Sequence, residues 1–244
     1  MVAGGPIASI ALTALFGLTF VQHGSGAWEW IGTLFWASAF TALTSVLPFS
    51  SGLSKSDGEQ LRLLILHPKQ TCSWMALLAL RTQEVEGVRP RDWDSRTFEQ
   101  LLAVNVAAGE YPYCQLMAFY RRIDEGSEAA AVEHLENALA MSARAGKPFR
   151  HALYLETASA SANIRKQAAQ ARGWWNRACK LRKSKSLDVI EAGIAMCEGR
   201  YDDAARHWEA ARALADRKRL DSGLIRFAKE KWAEYEAFCR SAQA

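Results

Sequence analysis

Charge is confined to one part of this chain. Between residues 1 and 54 the only aspartate, glutamate, lysine or arginine is Glu29, whereas from Lys55 onward charged side chains are dense. An uncharged opening of this length must be kept from water, in a bilayer or in a core. The stretch 7–21 reads IASIALTALFGLTFV and the stretch 30–49 reads WIGTLFWASAFTALTSVLPF. A bilayer core takes roughly 20 apolar residues of helix, and about 17 suffice. The second run meets that length, and the first does so if residues 2–5 also lie at membrane depth. QHGSGAWE between them is short, polar and glycine-rich, so the pair predicts a transmembrane helical hairpin over 1–49. Trp28, Trp30 and Trp36 gather near one end, as interfacial anchors do.

A signal peptide competes for the first run, but no lysine or arginine precedes it and a second apolar run follows closely. Two buried core helices of a soluble protein are the other alternative. Basic residues begin after the second run, at Lys55, Arg62 and Lys69. The positive-inside tendency therefore predicts an integral protein of the cytoplasmic membrane, with its long C-terminal part cytoplasmic and membrane lipid as a partner. The chain carries +4 overall and its first part −1, so residues 55–244 carry +5. That surplus is small and dispersed, which argues against nucleic acid. Cys72, Cys114, Cys179, Cys197 and Cys239 are odd in number and form no C-x-x-C pair, so they read as reduced thiols.

The second region, 50–110, holds a linker and further helices. Pro48 ends the apolar run, since it has no N–H to give. The serine- and glycine-rich stretch 50–58 predicts irregular backbone, with Ser56 or Asp57 capping a helix that starts near Glu59. Read locally, Asp57-Gly58 is a turn and a cap.

The same residues resemble a family. An uncharged span ending in leucine-proline, a Gly/Ser loop, then Lys-Ser-Asp-Gly and a leucine-rich helix is similar to the third core span of the M50 zinc metallopeptidases, the site-2-protease-like intramembrane enzymes. The opening MVAGGPIAS resembles their loop before the preceding span, and GVRPRDWD at 87–94 a segment that follows the membrane core in some bacterial members. The resemblance implies zinc held by two histidines of H-E-x-x-H and by the aspartate of Asp-Gly, with the intervening glutamate as general base. Such a site needs all three protein ligands, an open position for water and a base. Here Asp57 alone has a counterpart. His23, His67, His134, His151 and His207 include no i, i+4 pair, Ser9 and Ser45 stand where the family often has asparagine, and no H-E-x-x-H exists. The expectation is therefore no catalytic residue and no cofactor in this chain alone, with Asp57 a third zinc ligand if a longer protein supplies H-E-x-x-H. Either the chain is the C-terminal portion of such a peptidase, or it is a scaffold that lacks the chemistry.

Beyond residue 59 apolar residues recur at three- and four-residue spacing, and the fold class predicted is all-α. Helices are expected over 70–85, 95–107 and 114–123. Residues 111–244 carry an internal repeat. EGRYDDAARHWEAARAL at 198–214 has the Gly-x-aromatic-x-x-Ala spacing of a tetratricopeptide-like hairpin. EGSEAAAVEHLENALAM at 125–141 superposes on it, Gly126 on Gly199, Ala131 on Ala204, Leu135 on Trp208 and Ala138 on Ala211. In KQAAQARGWWNRACKL at 166–181, Ala171, Trp175 and Ala178 take the same places. The hairpins expected are 114–123 with 128–140, 153–164 with 167–181, and 187–197 with 201–215, closed by a capping helix over 222–240. Such stacks bind a protein or peptide partner.

Four further features have a plain reading beside a functional one. The basic run Arg177, Lys180, Arg182, Lys183 and Lys185 is a solvated helix end, or a contact for anionic headgroups. Trp175 fits the repeat core, which leaves Trp174 as a contact residue. His134 and His207 occupy equivalent repeat positions, as scaffold repetition would place them. Glu29, between two tryptophans, is interfacial before it is functional.

Overall fold

The computed structural model describes residues 4–23, 29–51, 54–182, 187–218 and 220–242. It is all-helical, apart from one two-stranded ladder. Two compact units divide it, Met1–Cys72 and Ser73–Ala244.

In the first unit, α1 (Gly4–His23) and α2 (Glu29–Val46) pack side by side. Close approach is possible where Gly17 faces Phe35, since a Cβ there would lie 3.1 Å from the ring. Ile31 and Ala42 of α2 are buried, while Ile7, Val21, Trp36 and Phe40 are more than 60% exposed. Among the described residues no helix is long and apolar enough to cross a membrane, so the helices as they stand do not support the expectation of two spans. The apolar run of α1, 7–21, rises only about 22 Å at ~1.5 Å per residue, short of a core of about 30 Å. In α2, Thr33, Ser38, Thr41, Thr44 and Ser45 dilute the run. The hydroxyls of Thr41 and Thr44 return to backbone carbonyls one turn back. Residues 24–28, including Trp28, and the side chains of His23 and Glu29 lie outside the described residues.

The linker is more ordered than its composition suggests. β1 (Ser50–Ser51) pairs antiparallel with β2 (Ser54–Lys55), Ser50 opposite Lys55. Ser56, not Asp57, is the N-cap of α3 (Asp57–Leu66), its Oγ accepting from Glu59 N and Phe49 N and donating to Leu47 O at 2.6 Å. Gly58 has no alternative, because a Cβ there would stand 1.8 Å from Val46 O.

α4 (Pro68–Val85) leads into the second unit. It is followed by a 3₁₀ turn at Pro90–Asp92, α5 (Ser95–Leu102), α6 (Tyr111–Asp124), α7 (Glu128–Ala140) and a 3₁₀ turn at Ser142–Arg144. Then come α8 (Lys147–Asn163), α9 (Ala168–Leu181), α10 (Asp188–Cys197), α11 (Tyr201–Arg217) and α12 (Gly223–Ser241). α5 stops five residues short of its expected end. α6 and α8 begin earlier than expected, because Pro112 and Pro148 sit in their first turns, where a missing N–H costs nothing. α6 pairs with α7, α8 with α9, and α10 with α11.

The core is a series of small clusters. Trp74, Leu80, Trp93, Phe98 and Leu101 fill the first. Leu116, Phe119, Ala131, Leu135 and Leu153 fill the next, followed by Ala158, Ala171, Ile190 and Ile194, then Ala195, Ala204, Trp208 and Cys239. Ala131, Ala171 and Ala204 are all fully buried, as are Ala138 and Ala178. The residues opening the second helix of each pair also match. Gly126, Lys166 and Gly199 take φ of 78°, 55° and 72°. After Gly126, Ser127 N donates to Arg122 O; after Gly199, Arg200 N donates to Ala195 O. Both are the 6→1 bond of a Schellman end.

α12 does more than cap the last pair. It runs antiparallel to α11, with Lys229 on Asp216 and Arg212 on Glu236. Its N-terminal end lies against 87–89, where Gly223 meets the carbonyl of Val88 so closely that a Cβ would be 1.8 Å away.

Candidate functional site

Asp57 is half-buried in the first turn of α3, beside the cap formed by Ser56. Among the described residues no three His, Cys, Asp or Glu side chains are grouped to hold a metal ion, so Asp57 belongs to no three-ligand group there. The other sequence-marked features resolve into packing. His134 Nδ1 lies 2.7 Å from Gln115 Oε1, and His207 Nδ1 2.9 Å from Asp188 Oδ1. The separation along the chain is nineteen residues in both. Burial and the nearby Arg122 hold the His134 imidazole below its ordinary value. Trp174 is not a free contact residue. Its ring packs at a tilt against Tyr154, centroids 5.4 Å apart, Arg177 lies over it at 4.4 Å, and both Trp174 and Trp175 are half-buried. Arg177, Lys180 and Arg182 are described, whereas Lys183 and Lys185 lie outside the described residues. None of the five cysteines is joined in a disulfide, and burial raises the thiols of Cys197 and Cys239.

GVRPRDWD at 87–94 is a structural keystone. Gly87 has φ +90° and closes α4. Arg89 donates through Nη2 to Asp124 Oδ1 and through Nη1 to Glu230 Oε2, each at 2.6 Å, while Arg91 N also donates to Asp124. Those two carboxylates raise the guanidinium pKa, against the cost of burial. Trp93 is buried in the first cluster, and Asp94 Oδ1 caps α5 by accepting from Thr97 N at 2.7 Å.

These fastenings hold α12 over a cavity of about 350 Å³. α6 supplies Phe119, Tyr120 and Ile123 to its wall; α8 supplies Leu155, Glu156 and Ser159. α10 adds Ile190, and α12 adds Phe227, Trp232 and Tyr235. This is within the range of small-molecule sites, roughly 300–1,000 Å³ and mostly apolar with a few placed polar groups. The principal polar feature is a carboxyl–phenol pair: Glu156 is hydrogen-bonded to the Tyr120 hydroxyl. Burial raises the Glu156 carboxyl above its ordinary value, and the Tyr120 hydroxyl rises well above its own, first through burial and then through the neighbouring carboxylate. Three buried acids of this unit meet guanidinium groups, Asp124 with Arg89, Glu84 with Arg81, and Glu236 with Arg212 and Arg240. Glu156 meets a phenol instead. Lys231 stands at the wall, with its ammonium on Glu234 at 2.7 Å.

Sequence reading passed over this pair. One signal was available, since Glu156 is the only Asp, Glu, Lys or Arg between Arg150 and Arg165. Its convergence with Tyr120 depends on how three helix pairs and α12 pack, which no local pattern encodes. Comparison with family models, with curated proteins and with solved structures found no match to this chain.

Proposed function

We propose that the chain is a membrane-tethered helical-repeat scaffold, tetratricopeptide-like over 111–244, that holds a protein or peptide partner. One observation carries the reading. Three successive helix pairs place a positive-φ residue at the turn (Gly126, Lys166, Gly199) and a fully buried alanine five residues later (Ala131, Ala171, Ala204). Chains built from one repeated pair stack into arrays whose cores are serial and whose surfaces are extended, and such surfaces bind other chains. The tether is the α1–α2 hairpin. Its outward apolar side chains, Val21, Trp36 and Phe40 among them, need cover that water does not give. A bilayer supplies it to two helices inserted together, and the basic residues after the hairpin put 55–244 on the cytoplasmic side.

The test is photocrosslinking in cells, with a photoreactive residue at position 152 of α8 or 169 of α9, both exposed. A discrete adduct with one polypeptide from one of these faces supports the scaffold. Absence of any adduct from either face, in membrane-bound and folded protein, counts against it.

A second reading keeps the M50 resemblance, with this chain as the C-terminal portion of a zinc peptidase. It is favoured by Gly58, whose contact with Val46 O fixes Asp57 beside the end of α2. On this reading Asp57 ligates zinc only together with H-E-x-x-H from further sequence. The 244-residue chain by itself is then expected to cleave no membrane substrate, and zinc-dependent cleavage by it would overturn that expectation.

A further inference from the structure

We infer that the cavity beneath α12 binds an alkylammonium group, with the Glu156 carboxylate as its counter-charge and aromatic rings as its walls. This does not depend on the scaffold reading. Phe119, Tyr120, Phe227, Trp232 and Tyr235 line one space of about 350 Å³ with Glu156 among them. Aromatic faces carry negative quadrupole density, and rings grouped around a carboxylate are the arrangement that attracts an organic cation, most strongly where water is excluded. Rings of this cavity already meet cations from outside: the Arg89 guanidinium lies 5.6 Å from the centre of Phe227, and Lys166 Nζ 5.5 Å from that of Tyr235. Among the described residues the carboxylate is partnered by the Tyr120 phenol, while the Lys231 ammonium at the wall is engaged by Glu234. A neutral apolar ligand would leave Glu156 as it is, and an anion would oppose it. An ammonium provides the opposite charge that arginine provides at Asp124 and Glu236. Tyr120, by donating to Glu156, holds the carboxylate in place. The cavity is too small for a helix, so the ligand is a small amine or the ammonium end of a larger one.

The experiment is calorimetry on the full chain in micelles of a sugar-headed detergent. Benzyltrimethylammonium is compared with neopentylbenzene, which has the same shape and no charge. Tryptophan emission from Trp208 and Trp232 reports on the same binding. The cation is expected to bind at least about tenfold more tightly than its neutral isostere. Glu156→Gln is expected to remove that preference while leaving the weak binding of neopentylbenzene unchanged. Competition by glycerophosphocholine assigns the natural source to a lipid headgroup; cation binding without such competition assigns it to a free amine. Equal binding of cation and isostere, a preference that survives in Glu156→Gln, or no binding by folded protein overturns the inference.

Discussion

Arg89 and Asp124, thirty-five residues apart, meet through two hydrogen bonds, Nη2 to Oδ1 at 2.6 Å and Nε to Oδ2 at 3.4 Å. The carboxylate side chain is fully buried, and the free arm of the guanidinium reaches Glu230 on α12. One arginine thus joins the segment after α4, the end of α6 and the last helix. Removing one partner of a buried pair strands the other charge, at a cost of about 3–5 kcal/mol. Arg89→Ala is expected to lower the urea unfolding free energy by about 3 kcal/mol. Adding Asp124→Ala should recover part of the loss, since no charge is then left unpaired. A double variant weaker than the single by the full cost of Asp124→Ala alone would show that the two act separately.

Lys166 occupies, with φ 55°, the turn position that Gly126 and Gly199 fill in the neighbouring pairs. A left-handed backbone costs a side chain roughly 1–2 kcal/mol, and glycine gives back part of that through its freer unfolded chain. Lys166→Gly is therefore expected to stabilise the protein by up to about 1 kcal/mol, although the Nζ bond to Asn163 O is lost. Gly199→Ala should cost about 1 kcal/mol by the same logic. Chemical denaturation of the three proteins checks both signs.

Gly223 and Gly109 differ in kind. A Cβ at Gly223 would collide with backbone, Val88 O at 1.8 Å, whereas one at Gly109 meets nothing within 4 Å. Gly223→Ala is expected to cost about 1–3 kcal/mol, as overpacking does, and to loosen α12 in hydrogen exchange. Gly109→Ala should be close to neutral. Equal thermal stability of the two variants would mean that α12 does not rest on residues 87–89.

Glu156 gives a pH signature. Burial raises its folded pKa above the unfolded value of about 4.3. Between those two values the folded protein holds a proton that the unfolded chain has released, so stability falls as pH rises through that window and levels off above the folded pKa. The charged and titratable groups lining the same cavity as the pair are Lys231, Glu128 and Tyr235, with Arg81 and Glu84 acting on Tyr120. Glu156→Gln lacks the titration. The variant is expected to equal the wild type near pH 4 and to exceed it at pH 8, measured as the difference in urea midpoint. A difference independent of pH would place the carboxyl in water.

The helices themselves were legible because their determinants are local. Alanine and leucine at three- and four-residue spacing marked α7, α9, α10 and α11 to within one or two residues. The starts of α6 and α8 were hidden by prolines, which punctuate a sequence yet suit a first helical turn. Trp174 packs inward against Tyr154 of α8, a contact between helices that the repeat spacing does not display. The ladder at Ser50–Lys55 rests on backbone bonds and one serine hydroxyl, which composition does not display. Glu156 and Tyr120 lie thirty-six positions apart on separate helices, and only the packing of α6, α8 and α12 makes them one site.

The tether is the claim on which cellular placement rests, and flotation tests it most directly. The purified full chain is mixed with liposomes, washed with alkaline carbonate and spun through a density gradient. The account predicts that the chain rises with the lipid and resists the wash, and that Leu15→Lys with Phe40→Lys, two exposed sites on α1 and α2, leaves it at the bottom. Wild-type protein that stays at the bottom while folded and monodisperse would contradict membrane insertion and give the apolar face of α1–α2 to a protein partner.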